Sequence, residues 1–152
     1  MRFCDLPGKM QHFNIPDDLP TFSQSKAQWP RSREIYQAPL LIVKEMLLGS
    51  PRVLAAVSER DLVFTNSYFA VSLPRGHTRT AHLLATVLSS AFATWFFYLT
   101  AAEFGIYKRK LLARDLSFLP VPNFTSAVKS EAGQRLLQIE KNLRANGTDE
   151  RG

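Results

Sequence analysis

The chain has 152 residues, 45% of them hydrophobic and 21% charged, which fits one globular domain and excludes wholesale disorder. A net charge of +6 and a pI near 9.8 direct attention to acidic partners, either nucleic acid or an anionic membrane surface. A single cysteine, Cys4, excludes an intrachain disulfide and any Cys-x-x-Cys zinc or redox motif, and fits a reducing, cytoplasmic setting.

Residues 1–33 hold Pro7, Pro16, Pro20 and Pro30 among polar residues without sustained periodicity, so they read as an extended arm or loop. The first residues lack the apolar core of a signal peptide, and the sequons at Asn123 and Asn146 are accordingly expected to be unused. From Glu34 the texture changes. "PLLIVKE" is a continuous apolar run of the kind found in a strand buried on both faces. "RVLAAVSE", after Gly49-Ser50-Pro51, reads as a second strand or a helical turn. "DLVFTNSYFAVSL" alternates, with Phe69, Val71 and Leu73 on one side and Tyr68, Ala70 and Ser72 on the other, and Asn66-Ser67 is a point where it can divide into two strands. "PRGHTRT" leads into a helix with Thr78 or Thr80 as candidate N-cap.

Leu83 to Ala102 carries no formal charge and as one helix is about 30 Å long, enough to cross a bilayer. Its residues are nonetheless two-faced. At 100° per residue, Leu84, Val87, Leu88, Ala91, Trp95, Tyr98, Leu99 and Ala102 fall together. His82, Thr86, Ser89, Ser90, Ala93, Thr94 and Thr100 fall opposite, with Phe97 the main intruder. Such a helix packs one side against a sheet, and cations flank it at both ends, so a membrane is not an expected partner. Beyond Pro120-Val121-Pro122, Val128, Leu136, Leu137, Ile139 and Leu143 lie among charges and predict a surface helix ending near Asn146-Gly147. The expected fold class is α+β: a small, mainly antiparallel sheet from residues 39–73 packed against one long helix, 80–102, with a C-terminal helix outside. The chain divides into an arm (1–33), a central domain (34–125) and a C-terminal helix and tail (126–152).

Catalytic and metal chemistry find little purchase. His77 and His82 are five residues apart, a poor helical spacing for a metal, and neither cysteine nor carboxylate joins them. No Gly-x-Ser-x-Gly elbow places a serine for attack, and the close acidic groupings, Asp17-Asp18 and Glu59-Arg60-Asp61, read as turns. The chemistry that stands out is basic. "IYKRKLLARD" sets Lys108, Arg109, Lys110 and Arg114 within seven residues beside Tyr107, the arrangement that neutralises phosphates and releases condensed counterions. Arg75 and Arg79 precede the long helix as a second cationic pair, and Arg52 and Lys44 lie near strand ends. Tyr107 is placed either to stack or to pack in the core.

The order and phrasing of these segments from Glu34 to Phe124, about 90 of the 152 residues, resemble the C-terminal target-recognition region of adenine-specific DNA methyltransferases of restriction-modification and phage-defence systems. "IYQAPLLIVKE" is similar to that region's opening strand and "RVLAAVSERDLVFTNSYFAVSL" to the strands that follow. "AHLLATVLSSAFATWFFYLTAAEFGIYKRKLLARDLSFLPVP" is similar to its helix, with a Leu-Asn-Ser-like step at Leu88-Ser89-Ser90, an aromatic run, a glycine turn, a basic stretch and a Leu-Pro-x-Pro exit. The glycine-rich loop for S-adenosylmethionine and the Asn-Pro-Pro-Tyr-like motif that holds a flipped adenine are both missing, and Asn66-Ser67-Tyr68-Phe69 reads as strand. The resemblance therefore implies a fragment that holds double-stranded DNA through Lys108, Arg109, Lys110, Arg114, Arg75, Arg79, Tyr107, Arg52 and Lys44. Catalysis and S-adenosylmethionine would belong to a separate methyltransferase domain or subunit. A protein-interaction module and an inactive truncated remnant are the rival readings. For the DNA reading, Lys108→Glu with Arg109→Glu is expected to abolish duplex binding while leaving the circular dichroism spectrum unchanged. Unaltered binding would remove these two residues from the interface.

Overall fold

The computed structural model describes residues 4–5, 15, 19–22, 32–45, 47, 52–105 and 110–149. Its centre is the strand β2, Leu40–Lys44, whose first four residues are wholly buried, as a continuous Leu-Leu-Ile-Val run requires. The strands β3, Ala55–Ser58, and β5, Tyr68–Ser72, flank it antiparallel on either side, with Ile42 opposite both Ala56 and Ala70. The small residues on the flanking strands leave room for the branched side chain between them. "DLVFTNSYFAVSL" does divide at Asn66-Ser67: β4, Leu62–Val63, precedes the turn and β5 follows it. Tyr68 N–H donates to the Thr65 carbonyl across that turn at 3.1 Å. Asp61 is a turn residue with a structural task, since its Oδ1 accepts the Ala38 N–H at 2.9 Å and ties the β3–β4 turn to the entrance of β2.

The N-terminal region is attached to this body at the points described. Strand β1, Cys4–Asp5, pairs in parallel with β4, and Ile15 and Leu19 pack against the core. The fold is thus α+β, a three-stranded antiparallel sheet packed against helices with a C-terminal helix outside.

The region expected to form one long helix forms two. Helix α1 spans Thr78–Leu88, helix α2 spans Ala91–Thr100, and their axes bend by 65°. The cause is Ser90. Its backbone is extended, its Oγ donates to the Val87 carbonyl at 2.6 Å, and the same Oγ accepts the Ala93 N–H at 3.1 Å. One hydroxyl thereby closes the last turn of α1 and caps the first turn of α2. No single helix among the described residues is long and apolar enough to cross a membrane, although the bent pair together has the length and composition.

The break redistributes the faces. Leu88 is buried and Leu84 and Val87 partly so, as expected, but the pattern fails in α2. There Ala93 and Phe97 are the buried residues, while Trp95, Tyr98 and Leu99 are at least half exposed. Phe97, the intruder in the straight-helix reading, is a core residue. It meets Phe96 and Phe104 edge-on at 5.7 and 6.2 Å.

The chain continues through a 3-10 turn, Ala113–Phe118, and the Pro-Val-Pro exit to a short helix α3, Phe124–Ala127, and then α4, Glu131–Asp149, which runs past Asn146-Gly147. A side chain at Gly133 would lie 1.9 Å from the Ala127 carbonyl oxygen, so the α3–α4 corner admits only glycine. Helix α4 packs on α1. Its buried contact is polar, where the His82 Nδ1–H donates to Glu140 Oε1 at 2.9 Å. Glu59 lies 3.6 Å from His82 Nε2, and Arg144 Nε lies 3.8 Å from the same Glu140 oxygen. His82, placed by periodicity on a polar outer face, is in fact the buried anchor for α4.

Removing one member of that pair leaves the other buried without its partner. His82→Ala and Glu140→Ala are each expected to cost about 1–3 kcal/mol in urea unfolding. The double variant should cost less than the sum, with a coupling on the order of 1 kcal/mol. Additive costs would mean that the hydrogen bond does not hold α4 in place.

Candidate nucleic-acid interface

The cations singled out in the sequence do not share one environment. Arg75 and Arg79 stand together at the entrance to α1. Pro74, Arg75, Gly76 and His77 form a turn in which His77 N–H donates to the Pro74 carbonyl at 3.1 Å. Gly76 has φ +88°, a left-handed conformation that glycine adopts without steric cost. The turn delivers the chain into the helix with Arg75, Gly76, His77 and Arg79 all exposed. Neither arginine makes an ion pair among the described residues. His77 occupies the N-cap position without a capping hydrogen bond from its side chain, and the first turn contains no acid. The leading amide N–H groups and the positive end of the helix dipole lie at the same end of α1 as these two exposed arginines, and a helix N-terminus favours an anion. Thr78 and Thr80 lie inside the helix, so neither is the N-cap. Gly76 and His77 form this turn without being candidate site residues in the sequence, although the Pro-x-Gly spacing ahead of the helix is the signal for the turn.

Lys110 is employed inside the fold. Its Nζ lies 3.0 Å from Glu45 Oε1, its backbone N–H donates to the Glu103 carbonyl at 3.1 Å, and the Leu111 N–H donates to the Glu45 carbonyl at 2.9 Å. These bonds fasten the segment after α2 to the end of β2 and bring Leu111 into the core. The hydrogen bond and charge of Glu45, with a smaller contribution from Glu103, raise the Lys110 ammonium above its ordinary pKa of 10.5. Arg114 is exposed on the 3-10 turn, with a loose 3.9 Å approach to Asp115. Asp115 itself is buried, and its Oδ2 accepts the Leu112 N–H at 2.9 Å. Tyr107, Lys108 and Arg109 lie outside the described residues, so the centre of the predicted basic stretch is located only by its neighbours.

Lys44 closes β2 half-buried, opposite Tyr68, and Arg52 is exposed just before β3. Among the described residues no group of three or more His, Cys, Asp or Glu side chains is arranged to hold a metal ion.

Because Lys110 gains a partner on folding, its contribution to stability is fully present below its unfolded pKa near 10.5 and is lost as pH rises through the raised folded value. Unfolding titrations from neutral pH upward are expected to show this loss in the parent chain. Glu45→Gln removes the main group that raises the pKa, and that variant should lose most of the dependence.

Compared with protein-family models the chain matches none, and no curated protein matches it.

Proposed function

We propose that this chain is a DNA-binding target-recognition unit of an adenine-specific DNA methyltransferase system, acting beside a separate domain or subunit that supplies S-adenosylmethionine binding and catalysis. The reading rests on the ordered resemblance of residues 34–124 and on net positive charge. The observation that carries it is the pair of exposed arginines, Arg75 and Arg79, beside the α1 N-terminus, neither in an ion pair among the described residues. A duplex phosphate placed there would meet two guanidinium groups, each able to donate in a bidentate fashion, together with the leading amide N–H groups of the helix. Arg114, exposed on the 3-10 turn, and the basic segment 108–109 are the further phosphate contacts in this reading. Lys110 is itself tied to Glu45 at the end of β2. The sheet packs against α1 and so supports the helix entrance that carries Arg75 and Arg79.

The uncharged, outward face of α2 favours a second reading, association with protein, in which the positive charge serves solubility. The two readings use different residues and are separable by mutation.

Fluorescence anisotropy of a labelled duplex, followed from about 50 to 200 mM salt, tests the DNA reading. Affinity should fall steeply with salt. Arg75→Glu with Arg79→Glu should weaken binding and reduce the slope of log K against log salt by about 2. Absence of binding by folded protein at the lowest salt would overturn the function, and an unchanged slope in the double variant would overturn the site.

A further inference from the structure

Helix α2 turns four large apolar side chains to solvent: Phe92, Trp95, Tyr98 and Leu99 are 49, 59, 50 and 61% exposed. Phe92 lies 6.3 Å from the Trp95 ring and 6.4 Å from the Phe96 ring, so the aromatic groups form a continuous surface. At aromatic areas of about 150–250 Å² each, the four residues present on the order of 400 Å² of apolar surface. A standard interface buries about 800 Å² per partner, of which roughly 450–520 Å² is apolar. One ten-residue helix thus supplies most of the apolar centre of such an interface. An apolar patch of this size gathered on one element is of the scale that often marks a functional surface.

The charge pattern indicates what covers it. No Asp, Glu, Lys or Arg occurs between Ala91 and Thr100, on a chain whose net charge is +6. An acidic protein or an anionic lipid headgroup is drawn by cations, and this face has none to offer. A second copy of the chain is repelled wherever like charges meet, and here none meet. A two-fold axis also lays the same patch against itself, so that apolar surface meets apolar surface without further complementarity. We propose that the chain forms a symmetric homodimer through α2, with Trp95 and Tyr98 as the central anchors of the interface. The stripe of Leu136, Ile139 and Leu143 on α4 is a poorer candidate, because it is aliphatic, less exposed and bordered by Arg135 and Lys141.

Sedimentation equilibrium of the full chain without nucleic acid, from about 1 to 100 μM, is the test. The expected mass rises from one chain of 17.2 kDa to two and stops there. Trp95→Glu should weaken the dimer at least about 30-fold while preserving the far-ultraviolet circular dichroism of the parent, since the side chain is exposed. Leu143→Glu should leave the dimer intact. A parent that stays at one chain, a mass that climbs beyond two, or a dimer that survives Trp95→Glu each overturns the proposal. A dimer lost only in Leu143→Glu overturns it as well. The outcome is independent of the DNA reading: a monomer that binds duplex removes only the dimer, and a dimer that ignores duplex removes only the DNA site.

Discussion

The Ser90 hydroxyl, shared between the Val87 carbonyl and the Ala93 N–H, is the contact on which the arrangement of this chain turns. Strands of four and five residues extend only about 17 Å or less, whereas an unbroken helix from Leu83 to Ala102 would run about 30 Å and leave the sheet behind. Bending by 65° at Ser89-Ser90 keeps the second arm over the core. Phe97 and Ala93 then pack inward, Phe104 follows, and the backbone returns to Glu45 at the end of β2. The same turn carries Trp95, Tyr98 and Leu99 outward.

Charge and apolar surface are segregated as a result. Two exposed arginines, Arg75 and Arg79, stand at the entrance to α1, where nothing among the described residues neutralises them, while Lys110, after α2, is paired with Glu45 and serves as a fastening. Between them runs a helix with no formal charge. Phosphate recognition and apolar association draw on different physical terms, one sensitive to salt and the other to buried area, so they can coexist on one small chain without competing for residues.

The docking of α4 follows the same economy of contacts. Its buried face is small and polar, with Gly133 at the corner and Glu140 against His82, and the aliphatic stripe faces solvent. A hydrogen bond between buried partners specifies orientation more sharply than aliphatic packing does, because an unpaired buried carboxylate is costly in any other register. Helix α4 is thereby held by direction more than by area. The orphaned hydroxyl of Ser89, buried at the α1–α2 break, has no partner among the described residues, and the structure offers no physical account of it.

Read alone, the sequence determined the elements whose signals are local: the buried β2 run, the division at Asn66-Ser67, the Pro-Arg-Gly turn into α1, the C-terminal helix, the α+β class and the positive charge of the candidate surface. The step at Leu88-Ser89-Ser90 was visible, but two serines inside a helical pattern are compatible with a continuous helix, and only competition with the short sheet beneath makes them a break. Which side of α2 is buried, whether His82 faces water or Glu140, and whether Lys110 is a surface cation or an internal tie were decided by tertiary structure. Each depends on a partner outside the helix concerned, Phe104 beyond the end of α2 and Glu140 and Glu45 far away in the chain, and periodicity along one helix carries no information about where such partners lie.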